Sequence, residues 1–205
     1  MKIKLTNIGK RFNTEWIFRA FTYEFNEGHS YAITGPNGSG KSTLLQIIAG
    51  ATLHNEGLIN YSNHQILQPE HIYYYVSISA PYLELVEELT LLEFFTLHAK
   101  LKPLRPQLTI AAIIKIIGLE KSAHKQIRYF SSGMKQRVKL AQAIFSDVPV
   151  ILLDEPGTNL DMEGMSLYHN LISQYCNGKL LIISSNDKTE YDFCKQVIDI
   201  GKYKI

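Results

Sequence analysis

The stretch Ile33-Thr34-Gly35-Pro36-Asn37-Gly38-Ser39-Gly40-Lys41-Ser42-Thr43 constrains this chain more than any other, because it satisfies G-x-x-x-x-G-K-[ST]. Its glycines let the main chain fold tightly around a phosphate and point several N–H groups inward. The apolar run ending at Thr34 predicts a strand. Leu44, Leu45, Ile47 and Ile48 predict a helix over 41–49. A helix that begins at such a loop turns the positive end of its dipole towards the anion. Lys41 then reaches the β- and γ-phosphates, and Ser42 offers a hydroxyl to Mg²⁺. Gly35, Pro36, Asn37, Gly38, Ser39, Gly40, Lys41, Ser42 and Thr43 are the candidate phosphate-binding residues. The competing explanation is an unrelated glycine-rich turn. With Gly at roughly 7% of residues, the fixed positions arise by chance in about one chain of this length in a hundred.

A second constraint is Val148-Pro149-Val150-Ile151-Leu152-Leu153-Asp154-Glu155-Pro156, an apolar run ending in two carboxylates. A continuous apolar run suits a central parallel strand. Asp154 falls at its carboxyl end, where open α/β sheets bind ligands, and can hold Mg²⁺ through water. Glu155 is suited to orient or deprotonate an attacking water. Alone, these two could equally be a solvated turn before a proline. Beside a phosphate loop they read as chemistry.

The rest of the chain alternates in the same sense. Strands are predicted at Ile3–Leu5, Phe21–Phe25, Ser30–Thr34, Leu58–Tyr61 and Ile72–Ile78, with a turn at Glu27-Gly28. Helical spacing marks 90–101 and 108–117, separated by Pro103 and Pro106 and closed by Gly118. Strand Val150–Leu153, a helix over 162–175 and strand Lys179–Ile183 follow, with a final strand pair at Gln196–Ile200 and Lys202–Ile205 around Gly201. That order implies a mostly parallel, helix-covered sheet with a helical block, roughly 85–145, set into it. His98, alone on an apolar helix face, reads as a packed histidine rather than a ligand.

The 205 residues fit one domain with an inserted subdomain, and 45% hydrophobic content supports a sizeable core. A net charge of +2, with Lys and Arg scattered, gives no reason to expect a nucleic-acid partner. Cys176 and Cys194 lack metal-ligand spacing and are expected to be reduced thiols. The N-terminus lacks a signal-peptide apolar region, and no apolar run approaches the roughly 18 residues of a membrane span. No direct membrane insertion is expected.

Phe130-Ser131-Ser132-Gly133-Met134-Lys135-Gln136-Arg137 opens a further helix with two serines and a glycine at its start. By itself this is an ordinary serine cap, worth about 1 kcal/mol, or a second anion site. Its place in the chain carries more. The order of phosphate loop, helical insert, Ser-Gly helix start and Asp-Glu strand end resembles the ATP-binding cassette ATPases, the nucleotide-binding subunits of ABC transporters. The resemblance covers essentially the whole chain. It implies an α/β P-loop NTPase fold of the ABC ATPase type, with an N-terminal antiparallel β-subdomain and an inserted helical subdomain carrying the signature motif, all within one domain, 1–205.

The resemblance further implies ATP and Mg²⁺ as cofactors, and a head-to-tail dimer, homomeric or with another ABC ATPase. FSSGM is similar to the signature LSGGQ, with Ser131 and Gly133 retained, and would bind the γ-phosphate held by the other subunit. Gly157-Thr158-Asn159-Leu160-Asp161 resembles the D-loop, with Asp161 crossing the interface. Phe12, or less readily Trp16, stands where the family stacks an aromatic on adenine. With no span of its own, such a subunit drives a separate membrane permease from the cytoplasmic face. Its docking cleft is expected between Tyr82–Leu85 and Leu91–Phe95, with Leu83 and Phe94 central. SGMKQR and the compact length lean towards exporters. The alternative is a soluble or regulatory ABC ATPase with weak hydrolysis and no permease.

Two positions depart from the family's pattern. LLIISSND resembles its switch strand, which normally ends in a histidine on the γ-phosphate; here that residue is Asn186. An amide can donate to a phosphate oxygen but cannot become cationic or relay a proton. Near Tyr75–Pro81 the family usually has a glutamine touching Mg²⁺, and the nearest equivalent is Ser79. Glu155, Lys41 and Asn186 are the expected catalytic residues, and Ser42, Asp154 and Ser79 the expected metal ligands. ATP binding and dimer closure are expected to survive the departures, with hydrolysis either slow or dependent on the partner.

Overall fold

The structure, a computed structural model, describes residues 1–204 as a mixed α/β protein. It divides into two compact units, one of residues 1–78, 148–155 and 178 onwards, the other of residues 79–147 and 156–177.

The first unit begins with a long hairpin, β1 (Lys2–Phe12) and β2 (Glu15–Asn26), which pair antiparallel. β3 (Ser30–Thr34) leads into the phosphate loop and α1 (Lys41–Ile48). β4 (Glu56–Asn63) and β5 (Gln65–Leu67) complete an antiparallel sheet of order β2-β1-β4-β5. The second sheet has the order β6-β7-β8-β3-β9, built on β6 (Val76–Ser79), β7 (Val150–Asp154), β8 (Leu180–Ser184) and β9 (Gln196–Asp199). β7, β8, β3 and β9 run parallel. Every residue of β7 and β8 is buried, as central strands require. Phe18, Phe21 and Phe25 of β2 join Ile33, Leu44, Leu45, Leu152 and Ile182 in one core. Each such side chain contributes about 1.5–3 kcal/mol on burial.

The second unit holds four helices: α2 (Leu91–Leu101), α3 (Ile110–Ile116), α4 (Ser132–Ile144) and α5 (Met162–Tyr175). α2 packs on α3, and α4 on α5. Each starts at a side-chain cap: Thr90 in a reciprocal capping box with Glu93, Thr109, Ser131 and Asp161. His98 is half-buried, with Nε2 3.1 Å from Ser146 Oγ and its ring stacked on Phe94.

Three expectations need correction. Residues 72–78 are not one strand: Pro69 opens a 3₁₀ turn through Tyr74, and β6 starts only at Val76. The last strand pair does not form, because Asp199 accepts from Gly201 N–H at 2.8 Å and turns Ile200–Tyr203 into a 3₁₀ segment; Ile205 lies outside the described residues. The proposed docking cleft is not lined by Leu91, Phe94 and Phe95, which are buried in the helical unit. Tyr82 and Leu83, by contrast, are exposed, as is their neighbour Val86.

Candidate functional site

α1 is the one α-helix among the described residues that starts without a side-chain cap. Its cap position is Gly40, and its first turn holds no acid. The first N–H groups of a helix have no intrahelical partner, so this N-terminus presents donors and the positive dipole end together. Gly40 is required: φ is 96°, and a Cβ there would lie 2.6 Å from Ile17 Cγ2 and 2.8 Å from Phe18 Cδ1.

In front of that terminus is a cleft of about 380 Å³ lined by Ile17, Asn37, Gly38, Gly40, Lys41, Ser42, Thr43 and Glu155. Lys41 is buried, and its ammonium donates to the carbonyl oxygens of Gly35 at 2.8 Å and Pro36 at 3.5 Å. The charge is therefore held across the loop. Ser39 is also buried, its N–H closing a turn onto Pro36 O at 3.0 Å.

Asp154 ends β7 with 2% of its surface exposed, and its Oδ1 has no hydrogen-bond partner. Burial raises its pKa; the hydroxyls of Ser42 and Ser184 act in the opposite direction. A buried, partly unsatisfied carboxylate beside a serine hydroxyl suits a hard cation. Glu155 follows with φ at 43°, its N–H donating to Ser184 O at 2.8 Å. This left-handed turn is unusual for a residue other than glycine, and it puts Glu155 on the cleft wall.

Asn186 lies just beyond β8. Its Oδ1 accepts from Gly35 N–H at 3.2 Å, and its Nδ2 donates to Asn37 Oδ1 at 3.3 Å. Phe12 is half-exposed at the end of β1 and does not line the cleft; Lys10 Nζ sits 4.7 Å over its ring. Trp16 carries the guanidiniums of Arg11 and Arg19 over its ring at 5.5 and 4.6 Å. Ile17 is the wall residue the sequence reading missed. Its only signal is strand alternation, which does not tell a cleft wall from a core position.

Ser79, Ser131, Gly133 and Asp161 fall in the second unit. Ser79 is buried, and its Oγ has no hydrogen-bond partner. Ser131 Oγ accepts from Met134 N–H at 3.2 Å. A Cβ on Gly133 would lie 3.0 Å from Asn159 O, a tight approach that would make the 156–161 loop give. Buried Gln136 donates to Pro156 O at 2.8 Å. Asp161 caps α5 through Gly164 N–H at 2.7 Å and faces Arg137 at 3.7 Å. The start of α4 and the 156–161 loop thus hold each other.

Residues 18–158 match the family profile described as ABC transporter. The chain is 29% identical over 189 residues to the uncharacterized ABC transporter ATP-binding protein YybJ of Bacillus subtilis (strain 168), covering 92% of this chain and 87% of that one. It is 34% identical over 157 residues to the cytochrome c biogenesis ATP-binding export protein CcmA of Xylella fastidiosa (strain 9a5c), covering 75% and 69%. Among solved structures, a dimeric ATP-binding cassette in a post-hydrolysis state bound to ADP and Pi superimposes with a TM-score of 0.80 at 25% identity, covering 97% and 95%.

Proposed function

This chain belongs to the ABC transporter family, as an ATP-binding and ATP-hydrolysing subunit, and from that premise we propose how its residues divide the work. The phosphates of ATP lie in the cleft before α1. The uncapped N–H groups of α1 and the loop from Gly35 to Thr43 meet them. Lys41 brings its charge to the β- and γ-phosphates, and Phe12 offers a face to adenine. Glu155 orients the attacking water and takes its proton. Mg²⁺ fits the donors present: the buried Asp154 carboxylate with its unpartnered oxygen, and the Ser42 hydroxyl. Once bound, the ion neutralises charge developing on the phosphates.

Two such subunits are proposed to close head to tail over two ATP molecules, as the dimeric cassette with ADP and Pi suggests. The Ser131–Gly133 helix start then meets the γ-phosphate bound by the partner, and Asp161 approaches the interface. No described helix is long and apolar enough to cross a membrane. A separate permease is proposed as the partner in transport, with its docking surface on the exposed Tyr82 and Leu83 and with Val86 beside them. The working position is the cytoplasmic face of the membrane. The relatives' names include ATP-binding export proteins, and export is the proposed direction. A slow, regulatory ABC ATPase without a permease is the second reading, favoured by the engagement of Asn186 with the loop.

The observation that carries the proposal is the convergence of Lys41, Ser42, Thr43 and Glu155 on one cleft, with Asp154 buried beside Ser42. Equilibrium titration with ATP tests it. The wild-type chain should bind ATP more tightly with Mg²⁺ than without, and Lys41→Ala should lose binding by about two orders of magnitude, as expected for removing a charge-assisted contact of about 3 kcal/mol. Equal binding by the two proteins would overturn it.

A further inference from the structure

We infer that Asn186 and Asn37 form an amide clamp on the phosphate loop. Both are positioning residues for the diphosphate part shared by ADP and ATP, and Asn186 does not read the γ-phosphate. This rests on the nucleotide-binding reading above and assigns a positioning role within that same site.

The clamp is built from the sheet upward. β8 pairs in parallel with β3, the strand that feeds the loop, with Ser184 opposite Ile33. Ser185 N–H then donates to Ile33 O at 3.1 Å. The register of two buried strands, rather than a flexible loop, therefore carries Asn186 to the first corner of the phosphate loop. There its amide uses both ends. Oδ1 takes Gly35 N–H at 3.2 Å, and Nδ2 gives to Asn37 Oδ1 at 3.3 Å. The two partners flank Pro36, whose own φ is fixed by its ring. Lys41 Nζ holds Gly35 from the other end, through its carbonyl oxygen at 2.8 Å. The Gly35 residue is pinned at both N–H and C=O.

Gly35 needs pinning. Its φ is 144°, and a Cβ would lie 2.8 Å from Ser39 Oγ, so only glycine fits, and glycine has the most freedom to lose. A clamp that fixes it before ligand arrives reduces the ordering cost of binding. The amide suits this task. It carries a donor and an acceptor on one carbon and does not titrate. A protonated histidine has no acceptor left for Gly35 N–H. Asparagine at this position thus supplies a loop contact.

Calorimetric titration with MgADP and with Mg-AMP-PNP, a non-hydrolysable triphosphate, tests the clamp in wild-type, Asn37→Ala, Asn186→Ala and the double variant. Asn37→Ala should weaken both nucleotides equally, by about fivefold for one lost hydrogen bond. Asn186→Ala should weaken both by that factor or more, and the double variant no further than Asn186→Ala, because the pair acts as a unit. A loss confined to the triphosphate would make Asn186 a γ-phosphate reader and overturn the clamp. Unchanged affinities, or losses that add, would also overturn it. If Asn186→Ala fails to fold, Asn37→Ala, on the exposed loop, decides alone by whether its loss is equal for the two nucleotides. A wild-type chain that binds neither nucleotide would overturn the nucleotide-binding reading, and the clamp with it.

Discussion

Gln136 donates from its buried side-chain amide to the main-chain oxygen of Pro156, 2.8 Å away. That bond joins α4 to the loop that runs on to Asp161. Gln136→Leu keeps most of the volume and removes the donor, leaving a carbonyl oxygen unpaired. The expected cost is about 1–3 kcal/mol of stability, read from the urea midpoint at constant m-value. A midpoint equal to wild type would show that the bond holds nothing.

Gly40→Ala should be worse than its single methyl suggests. The residue sits at φ 96° with Ile17 and Phe18 carbons within 2.8 Å of where the Cβ would go. Strain of about 1–3 kcal/mol is expected, and the loop would shift to relieve it. Nucleotide titration should show affinity falling by about tenfold or more, an effect of that energy. A variant with wild-type affinity would contradict the close approach.

Asp154→Asn should separate stability from activity. Burial raises the pKa of this carboxyl, so the charged form is disfavoured in the folded chain and costs stability at neutral pH. Removing the charge should raise the thermal midpoint by about 2–4 °C, what ~1 kcal/mol produces in a chain of this size, while Mg²⁺-dependent hydrolysis is lost. A lower midpoint would mean the carboxylate is net stabilising.

His98 makes stability depend on pH. Burial lowers its pKa to about 4, with Lys102 acting in the same direction. The unfolded chain therefore binds the proton first. The neutral, packed state is fully favoured above the unfolded value of ~6.5, and stability falls as pH drops from there towards about 4. His98→Gln keeps a donor for Ser146 and cannot titrate, so thermal melts between pH 7 and 4.5 should flatten relative to wild type. An unchanged slope would assign the loss to other groups.

The chemistry was more legible in the sequence than the reach of its supports. The phosphate loop and the Asp154-Glu155 strand end depend on residue types that no other element demands, and the cleft assembles from those positions. β1 and β2 extend well past the predicted Ile3–Leu5 and Phe21–Phe25, because hairpin pairing continues strands through polar residues such as Lys10 and Arg11 that carry no apolar signal. Ile72–Ile78 misled for the opposite reason. Its apolar residues look continuous, but Pro69 starts a turn that hides Ile72 in the core while Tyr73 and Tyr74 stay exposed. Phe94 shares an apolar helix face with Leu91 and Phe95, and in sequence a core face looks the same as a docking face; in the fold Phe94 is 6% exposed. The Asn186 contacts were illegible because they depend on strand register across 151 residues.

Steady-state ATP hydrolysis by the purified chain, measured against protein concentration with Glu155→Gln alongside, tests the central claim most directly. The account predicts a rate that rises more steeply than linearly, because closure needs two copies, and that Glu155→Gln abolishes while nucleotide still binds. A rate that stays proportional to concentration, or persists in Glu155→Gln, would contradict a head-to-tail ATPase with Glu155 as its base.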